Sequence, residues 1–317
     1  MIGRWPMVLS GVLTALAILA AYGWWQAFGV TLPVARSVFV GFEKTWLTLV
    51  FVALIVQVAL SAIRWAAIEG AIEGPRPRFE LGFVSGAIAM ALGTVLPAPL
   101  MSVLCRSLAT RIMGNGARRG AISGLLDQGC DLAISIWFAI PAVIAILIGD
   151  VAGFPMFALL VGIAGVPVAL MLGWSVSCIV HARLTPRYDW LVRLGSPCNV
   201  IVLYLTSVMR VCNLVAMAAL ISLTSAAIDP VKLAIAVPIV AVTNALAMLP
   251  GSIGVSEWGF SSVLAEVGVA DSAIIVFLLA NRAILTGLPV LLGVIVAVGC
   301  GTRCWWLGGA QAGHITA

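Results

Sequence analysis

Apolar runs of about twenty residues without a charge recur along this 317-residue chain, and they constrain its fold more than any other feature. A helix needs about 20 consecutive apolar residues to cross a hydrocarbon core of about 30 Å, so runs of this length indicate transmembrane helices. The composition excludes a water-soluble domain, because only 9% of the residues are charged and 62% are hydrophobic. We therefore expect an all-α integral membrane protein.

The charge and the cysteines exclude other classes of protein. The net charge is +5, but the basic residues lie in short segments between apolar runs, where they are typical of membrane topology rather than of nucleic-acid binding. The seven cysteines form no C-x-x-C pair, and the chain has two histidines. Cys300 and Cys304 lie four residues apart, either as metal or redox ligands or, as we favour, as small apolar side chains. We expect no nucleic-acid partner, metal or cofactor.

Six apolar runs are predicted to cross the membrane. The first of them follows Arg4 and resembles either a signal peptide or, as we favour with so many spans behind it, an uncleaved first helix. The predicted spans are residues 7–28, 46–68, 121–148, 153–181, 198–224 and 271–299.

Two further apolar regions, residues 81–113 and 231–268, are interrupted by helix-breaking residues. The first is broken by Pro97 and Pro99, and the second by the segment Leu249–Gly254, with the sequence L-P-G-S-I-G. Each break leaves two helical pieces of about 15 residues, or roughly 22 Å, which are too short to cross the hydrocarbon core. We interpret both regions as re-entrant helical hairpins. The alternative is a pair of kinked, closely packed full-length helices in each region.

The basic residues predict the orientation of the chain. With a cytoplasmic N-terminus and hairpins that return to their own side, the outside holds three basic residues, Arg36, Lys44 and Lys232. The inside then holds eleven: Arg4, Arg64, Arg76, Arg78, Arg111, Arg118, Arg119, Arg183, Arg187, Arg193 and Arg303. This asymmetry predicts a multi-pass protein of the plasma or inner membrane with both termini cytoplasmic. Residues 183–196 are predicted as a short interfacial helix or an ordinary basic loop.

The order span, broken region, span occurs twice, which predicts an inverted repeat within one polytopic domain covering residues 1–317. The parts of that domain are repeat 1 at about 46–148, repeat 2 at about 198–299, an N-terminal helix and loop at 1–45, and a C-terminal tail at 300–317. When Pro97 is superposed on Pro250, charges fall at similar places with exchanged signs: Arg106 corresponds to Glu257, and Asp127 to Arg282. A binding site between such repeats lies near the middle of the bilayer.

Six ionisable residues inside the predicted spans and hairpins are candidates for function: Arg106, Asp127, Asp131, Arg210, Glu257 and Arg282. Each costs roughly 2.5–3.5 kcal/mol at the centre of a membrane helix unless it is paired or hydrated. Asp127 and Asp131 are four residues apart on one helical face, so either an arginine neutralises them or one carboxyl holds a proton and couples transport to it. The alternative is that all six only form ion pairs that fix the packing of the helices.

The second break has the composition of an anion site. Gly251 and Gly254 allow the backbone to come close to a ligand, while Ser252 and Ser256 add hydroxyl donors at the start of the following helix. Glu257 in the first turn is predicted to cap that helix and to be released when an anionic ligand arrives. The alternative is a re-entrant turn without a ligand.

Short catalytic motifs are scarce. The chain has no H-E-x-x-H, no P-loop and no G-x-S-x-G sequence, so we do not expect an enzyme. A membrane hydrolase or transferase that uses only carboxylates stays open, because Asp127, Asp131 and Glu257 are present.

The residues around the second break resemble a known family. Residues 249–257 are similar to the P-G-G-x-G-x-x-E hairpin of the flippase-like transmembrane domain of lysylphosphatidylglycerol synthases and their shorter relatives. Asn281–Arg282 resembles the last span of that domain, Arg64–Trp65 its early R-W pair, and Leu125–Leu132 its E-R-x-x-D stretch. The resemblance covers about residues 46–299 and implies movement of a lipid between leaflets.

The chain also departs from that family's pattern. Ser252 replaces the second glycine, Gln128 replaces the arginine, Ser256 stands where a basic residue is frequent, and Met101 and Ser102 replace a glycine and an acidic residue. These differences imply a different head group. Only residues 300–317 follow the last span, so we expect a stand-alone member without the soluble aminoacyltransferase domain.

Together these features predict a flippase for a lipid with an anionic, phosphate-bearing head group, either a phospholipid or a polyprenyl-phosphate-linked lipid. Arg106, Arg210 and Arg282 are expected to bind the head group, and Asp127, Asp131 and Glu257 to pair with them or take up protons. The alternative is an integral membrane enzyme or an accessory subunit of a glycolipid or phospholipid pathway. A second copy of the chain or a biosynthetic enzyme stays open as a protein partner.

Overall fold

The protein is built from helices throughout the residues that the computed structural model describes. These are residues 43–72, 77, 79–183, 189–247, 249 and 252–312, and of residues 180–183 and 300–312 we describe only the helical backbone. The helices in chain order are α1 (Lys44–Ile72), α2 (Phe79–Leu92), α3 (Ala98–Ile112), α4 (Ala117–Ile148), α5 (Phe154–Arg183), α6 (Asp189–Leu194), α7 (Pro197–Ser225), α8 (Pro230–Ala247), α9 (Val255–Glu266) and α10 (Asp271–Ala312).

Five of the six predicted spans are confirmed as long apolar helices. They lie in α1, α4, α5, α7 and α10, each of which is long and apolar enough to cross a membrane. The predicted span at residues 7–28 lies outside the described residues. A sixth described helix, α8, also meets the length and composition of a membrane span, so the described part of the chain is that of a multi-pass membrane protein.

Both predicted helix breaks are present. Pro97 precedes the first residue of α3, where a proline lacks only an N–H that has no partner inside the helix. The pieces are 14 and 15 residues long in the first region, but 18 and 12 in the second, where we expected about 15 each. The reason is that α8 begins at Pro230 and continues through Pro238 before it ends at Ala247. At about 27 Å, α8 approaches the thickness of the hydrocarbon core, whereas the other three pieces are much shorter.

Helix α1 lies at the centre of the bundle. It packs against α7 most extensively and also against α2 and α4, while α4 packs against α8 and α2 packs against α10. The side of α1 that faces these partners is buried from Val50 to Ile72. Helix α5 contacts α4, α6 and α7, and only 6% of its most apolar window is buried, so its large side chains face the surroundings.

The predicted interfacial segment 183–196 is helical over its described second half. This short helix, α6, packs against α1 and α5, and its Arg193 donates a hydrogen bond to the carbonyl of Ile72 at 3.4 Å. Arg193 therefore joins α6 to the end of α1.

The four helices of each predicted repeat follow one another with nearly the same spacing. Pro97 and Pro250 are 250 − 97 = 153 residues apart, and the same shift carries α1, Lys44–Ile72, onto the bounds of α7, Pro197–Ser225. It also brings the start of α4 to residue 270, one residue before the start of α10. The correspondence covers α1 to α4 and α7 to α10.

A close approach of two backbones holds α3 against α4. A Cβ atom on Gly120 of α4 would lie 2.6 Å from the carbonyl oxygen of Arg106 and 2.6 Å from Cα of Ser107, distances that real Cβ contacts essentially never show. Only glycine fits here without moving a helix. This contact sets the distance of Arg106 from the helix that carries Asp127.

Replacing Gly120 with alanine is expected to separate α3 from α4 and to lower the stability of the protein by about 1–3 kcal/mol, because the added methyl group overpacks the contact. We expect the Tm of the detergent-purified protein to fall by about 5 °C. Gly129→Ala, on the same helix, is the matched control, since the added Cβ atom would meet no atom within 4 Å. Equal melting temperatures for both variants would contradict the close contact.

Candidate functional site

Polar side chains form one face of α1 inside an otherwise apolar helix. Gln57, Ser61 and Arg64 are spaced four and three residues apart, so they lie on the same side of the helix, and all three are buried. We had counted Arg64 among the basic residues of the cytoplasmic side and not among the buried candidates. It lies inside α1 with 0% of its surface exposed.

Arg64 joins the two aspartates of α4. Its Nε lies 2.6 Å from Oδ1 of Asp127, and its Nη1 lies 2.6 Å from Oδ1 of Asp131. Nη1 also donates to Oγ of Ser207 on α7 at 2.8 Å. The predicted neutralisation of Asp127 and Asp131 by an arginine is therefore present, and the arginine is one that we had placed elsewhere.

Arg106 of α3 reaches the same carboxylate from the first broken region. Its Nη2 lies 3.9 Å from Oδ2 of Asp127 and donates to Oγ of Ser61 at 2.9 Å. Its Nη1 donates to the carbonyl of Gly82 at 2.6 Å and to Ser85 at 2.7 Å. The guanidinium lies 4.6 Å from the ring centroid of Trp65, within range of a cation–π interaction. These contacts tie both pieces of the first broken region to α1 and α4.

Arg210 of α7 completes the cluster. Its Nη1 lies 2.6 Å from Oδ2 of Asp131, which therefore bridges Arg210 and Arg64. We call these five groups the central cluster: Arg64, Arg106, Asp127, Asp131 and Arg210. Three guanidiniums and two carboxylates give it one excess positive charge. Of the six predicted ionisable candidates, four belong to it.

Two adjoining cavities border the central cluster. A cavity of ≈ 140 Å³ is bordered by Ser61, Arg106 and Arg210, and a second of ≈ 180 Å³ by Asp131, Arg210 and Ser252. Ala98, Gln128 and Arg210 border both, so we treat them as one space and call it the chamber. The chamber contacts the first residue after the first break, Ala98, and Ser252 of the second break. The two broken regions therefore meet at one space, whose wall combines charged and apolar side chains.

The remaining two predicted candidates form a separate pair beside the second break. Nε of Arg282 on α10 lies 3.7 Å from Oε1 of Glu257. Oε2 of Glu257 accepts a hydrogen bond from the backbone N–H of Gly254 at 2.7 Å, so the predicted capping of α9 by Glu257 is confirmed. Arg282 therefore contacts the residue that caps α9.

The backbone of the second break is unusual at two positions. Gly254 has a φ of 83° and Ser252 a φ of 52°, a left-handed conformation that costs more for serine than for glycine. Ser256 is half-buried in the first turn of α9, and Gly251 lies outside the described residues. Ser252 borders the chamber.

A second buried network lies at the far end of α1. Glu69, fully buried, accepts hydrogen bonds from Nε of Arg119 at 2.7 Å and from Oγ of Ser123 at 2.5 Å. Ser123 also accepts a hydrogen bond from Nε1 of Trp65 at 2.9 Å. The network joins α1 to the start of α4, and through Trp65 it touches Arg106. Arg119, which we had counted as a loop residue, belongs to this network.

An apolar cavity of ≈ 240 Å³ lies on the other side of the central cluster, between α4, α5 and α7. Its wall includes Trp137, Tyr204 and Ser207. Ser207 also holds Arg64, which in turn holds Asp131 at the wall of the chamber. A hydrogen-bonded set of side chains thus lies between the apolar cavity and the chamber.

Arg64 and Glu69 belong to buried networks that we had not predicted from the sequence. Gln57, Ser61 and Arg64 recur at helical spacing, and this polar face was the available signal for Arg64. Glu69 follows Arg64 by five residues near the end of α1, where a charged residue usually marks the membrane boundary rather than a buried pair.

Comparisons with protein-family models, with curated proteins and with solved structures found no match to the chain. The resemblance to the flippase-like domain of lysylphosphatidylglycerol synthases therefore stays a prediction.

Breaking the Arg64–Asp127 pair is expected to destabilise the protein, because it leaves a buried charge without its closest partner. We expect Arg64→Gln and Asp127→Asn each to cost about 3–5 kcal/mol in the free energy of unfolding. The double variant removes both charges, so its cost is expected to be about 2 kcal/mol less than the sum of the two single variants. Denaturation of the four proteins in one detergent measures this coupling, and strictly additive costs would contradict a direct ion pair.

Proposed function

We propose that the protein is a membrane transporter that moves a lipid with an anionic, phosphate-bearing head group between the two leaflets of the plasma or inner membrane. The head group enters the chamber, and the hydrocarbon chains stay in apolar surroundings. The observation that carries this proposal is the excess positive charge of the central cluster at the wall of the chamber.

The excess positive charge of the central cluster favours an anion at the wall of the chamber. A buried charge without a partner is costly in a low-dielectric interior, so an ion cluster there tends towards neutrality. The central cluster keeps one guanidinium more than its carboxylates neutralise, and both Arg106 and Arg210 border the chamber. A singly charged phosphodiester entering the chamber neutralises that excess, whereas a neutral or cationic head group leaves it in place. Selection for an anion follows from the charge count.

The apolar cavity supports a lipid rather than a soluble anion as the substrate. It lies next to the chamber and is separated from it by the hydrogen-bonded set that contains Ser207, Arg64 and Asp131. An amphiphile, with a charged head and an apolar chain, has surfaces that match both spaces. A free phosphate ion or a carboxylic acid metabolite matches only the chamber.

The packing of the helices supports the inverted repeat. In the repeat, α2 corresponds to α8 and α4 corresponds to α10. The contact of α4 with α8 therefore has an equivalent, the contact of α10 with α2, and both contacts are present. The shift of 153 residues carries Arg106 and Asp127 to positions 259 and 280, each two residues away from Glu257 and Arg282. Both charge pairs form, at 3.9 Å and 3.7 Å, so nearby positions pair in both units with the signs reversed. In this proposal α2–α3 and α8–α9 are re-entrant hairpins that enter from opposite faces, with both termini cytoplasmic.

The cap of α9 gives the second hairpin a way to respond to the substrate. Glu257 occupies the N-terminus of α9, and Arg282 lies beside it. A phosphate near Ser252 competes with Glu257 for the backbone N–H groups there. Release of Glu257 towards Arg282 would then let the hairpin move, which is one route for the chamber to open to the other leaflet.

A carboxylate-only enzyme is supported less well by the same geometry. Asp127 and Asp131 are held by arginines at 2.6 Å, and Glu257 is held by the N–H of Gly254 at 2.7 Å. A general acid or base must exchange a proton with the substrate, and these three carboxylates already accept hydrogen bonds from other groups. Transport requires only that the arginines bind and release an anion.

Leaflet exchange in reconstituted vesicles tests the proposal. We expect vesicles with the protein to exchange labelled phosphatidylglycerol at least about tenfold faster than phosphatidylcholine with the same chains, since the anion alone neutralises the cluster. Mass spectrometry of the lipid before and after the assay separates transport from catalysis. A covalently altered lipid would favour the enzyme, and exchange no faster than in protein-free vesicles would contradict transport.

Replacing Arg210 separates the charge of this residue from its shape. Arg210→Gln removes the excess positive charge and is expected to lower exchange of phosphatidylglycerol about tenfold or more, because the chamber no longer selects an anion. Arg210→Lys keeps the charge and is expected to stay within about threefold of the wild type. Arg193→Gln, outside the chamber at α6, is the matched control. Equal rates for Arg210→Gln and the control would contradict the role of Arg210.

A further inference from the structure

Three residues at the chamber have a buried polar atom without a hydrogen-bond partner among the described residues. The atoms are Nε of Arg106 and Nε of Arg210, which are donors, and Oδ1 of Asn244, which is an acceptor. Arg210 and Asn244 border the same cavity of ≈ 180 Å³. An unpaired buried donor or acceptor is costly, so such atoms indicate where a ligand or water binds. The atoms of Arg210 and Asn244 require opposite partners.

The partner of Arg210 must be an acceptor. Its Nη1 is occupied by Asp131 at 2.6 Å, whereas its Nε is not occupied. A phosphate oxygen is the acceptor that a guanidinium binds best, through a charge-assisted hydrogen bond. This contact agrees with the anionic head group of the proposed function.

The partner of Asn244 must be a donor, and the charge of the chamber decides which kind. The donors on common lipid head groups are ammonium N–H groups and hydroxyl O–H groups. An ammonium brings a positive charge next to the central cluster, whose three guanidiniums already exceed its two carboxylates by one charge. Like charges in a low-dielectric site repel strongly. A neutral hydroxyl donates the hydrogen bond without that repulsion.

Other side chains around Asn244 suit a hydroxyl-bearing group. Ser135 and Ser252 border the same cavity, and so do Gln57 and Gln128. Nε2 of Gln128 donates to Ser102 at 3.0 Å, and Oε1 of Gln57 accepts from Asn213 at 2.9 Å, so both amides are already oriented. Amide and hydroxyl groups both donate and accept, which is what a group with several hydroxyls needs.

We propose that the substrate is an anionic lipid whose phosphate is esterified to a polyol, either glycerol or a sugar, with the phosphate at Arg210 and a polyol hydroxyl at Asn244. This inference rests on the proposed function and narrows its substrate class. A phosphate ester without a hydroxyl satisfies Arg210 but leaves Asn244 without a donor.

Two lipids with the same charge test the inference. Phosphatidylglycerol and phosphatidylethanol are both singly charged phosphodiesters, but only the first has free hydroxyls. In reconstituted vesicles we expect the full-length protein to exchange phosphatidylglycerol at least about fivefold faster than phosphatidylethanol, because only phosphatidylglycerol donates to Asn244. We expect Asn244→Leu to reduce this ratio to about one, mainly by slowing phosphatidylglycerol.

Asn199→Leu is the matched control. Asn199 is a half-buried amide that donates to the carbonyl of Arg193 at 2.8 Å, and it lies outside the chamber wall. We expect this control to keep the ratio of the wild type. If Asn244→Leu does not fold, Ser135→Ala is the second variant, and we expect it to lower the ratio as well.

The outcomes separate the two proposals. Equal and fast exchange of both lipids by the wild type would overturn the polyol inference, since water then satisfies Asn244, while transport of an anionic lipid would stand. Exchange of neither lipid above the protein-free rate would overturn the proposed function itself. A wild-type ratio above about fivefold that survives in Asn244→Leu and Ser135→Ala would overturn the assignment of the hydroxyl contact to this cavity wall.

Discussion

The interaction on which the rest of the structure depends is the contact of Arg64 with two aspartates inside a bundle of apolar helices. Arg64 lies 2.6 Å from a carboxylate oxygen of Asp127 and 2.6 Å from one of Asp131. Two aspartates one helical turn apart repel each other, and neither is stable as an isolated charge in this environment. Arg64 neutralises that repulsion and joins α1 to α4. The contacts of Arg106 and Arg210 then attach α3 and α7 to the same centre.

The arginines of the central cluster differ in their access to the chamber. Arg64 is fully buried and held on three sides, so its part is to hold the helices together. Arg106 and Arg210 border the chamber, so they can also meet a ligand. A bound anion does not have to break the Arg64 contacts. Excess charge and stable packing are therefore compatible, because different arginines carry them.

The sequence predicted the coarse architecture because the physical signals are strong and local. The length of the apolar runs predicted the five spans that lie in described helices, and the proline and glycine segments predicted both helix breaks. It also gave Arg106, Asp127, Asp131 and Arg210 as buried candidates and Glu257 as a cap. The sequence did not predict Arg64, because an arginine near the end of an apolar run usually marks the edge of the membrane. Only the packing of α1 against α4 and α7 shows that this arginine is buried.

The pairing of the charges also depended on the packing. From the sequence, Arg106, Glu257, Asp127 and Arg282 were two sets of equivalent positions whose partners were unknown. Arg106 lies next to Asp127 and Arg282 next to Glu257, so one pair forms within α1 to α4 and the other within α7 to α10, whereas Arg210 with Asp131 joins α7 to α4. Partner choice is set by helix rotation and by close contacts such as that at Gly120, which residue order alone does not determine.

The most direct measurement of the central claim is native mass spectrometry of the protein extracted gently with its bound lipid. The account predicts that anionic phospholipids are enriched on the wild type over their share in the surrounding membrane, and that this enrichment is lost in a protein without the guanidinium at position 210. A bound-lipid composition equal to that of the membrane extract, unchanged by the loss of that guanidinium, would contradict a chamber that selects an anion by its excess positive charge.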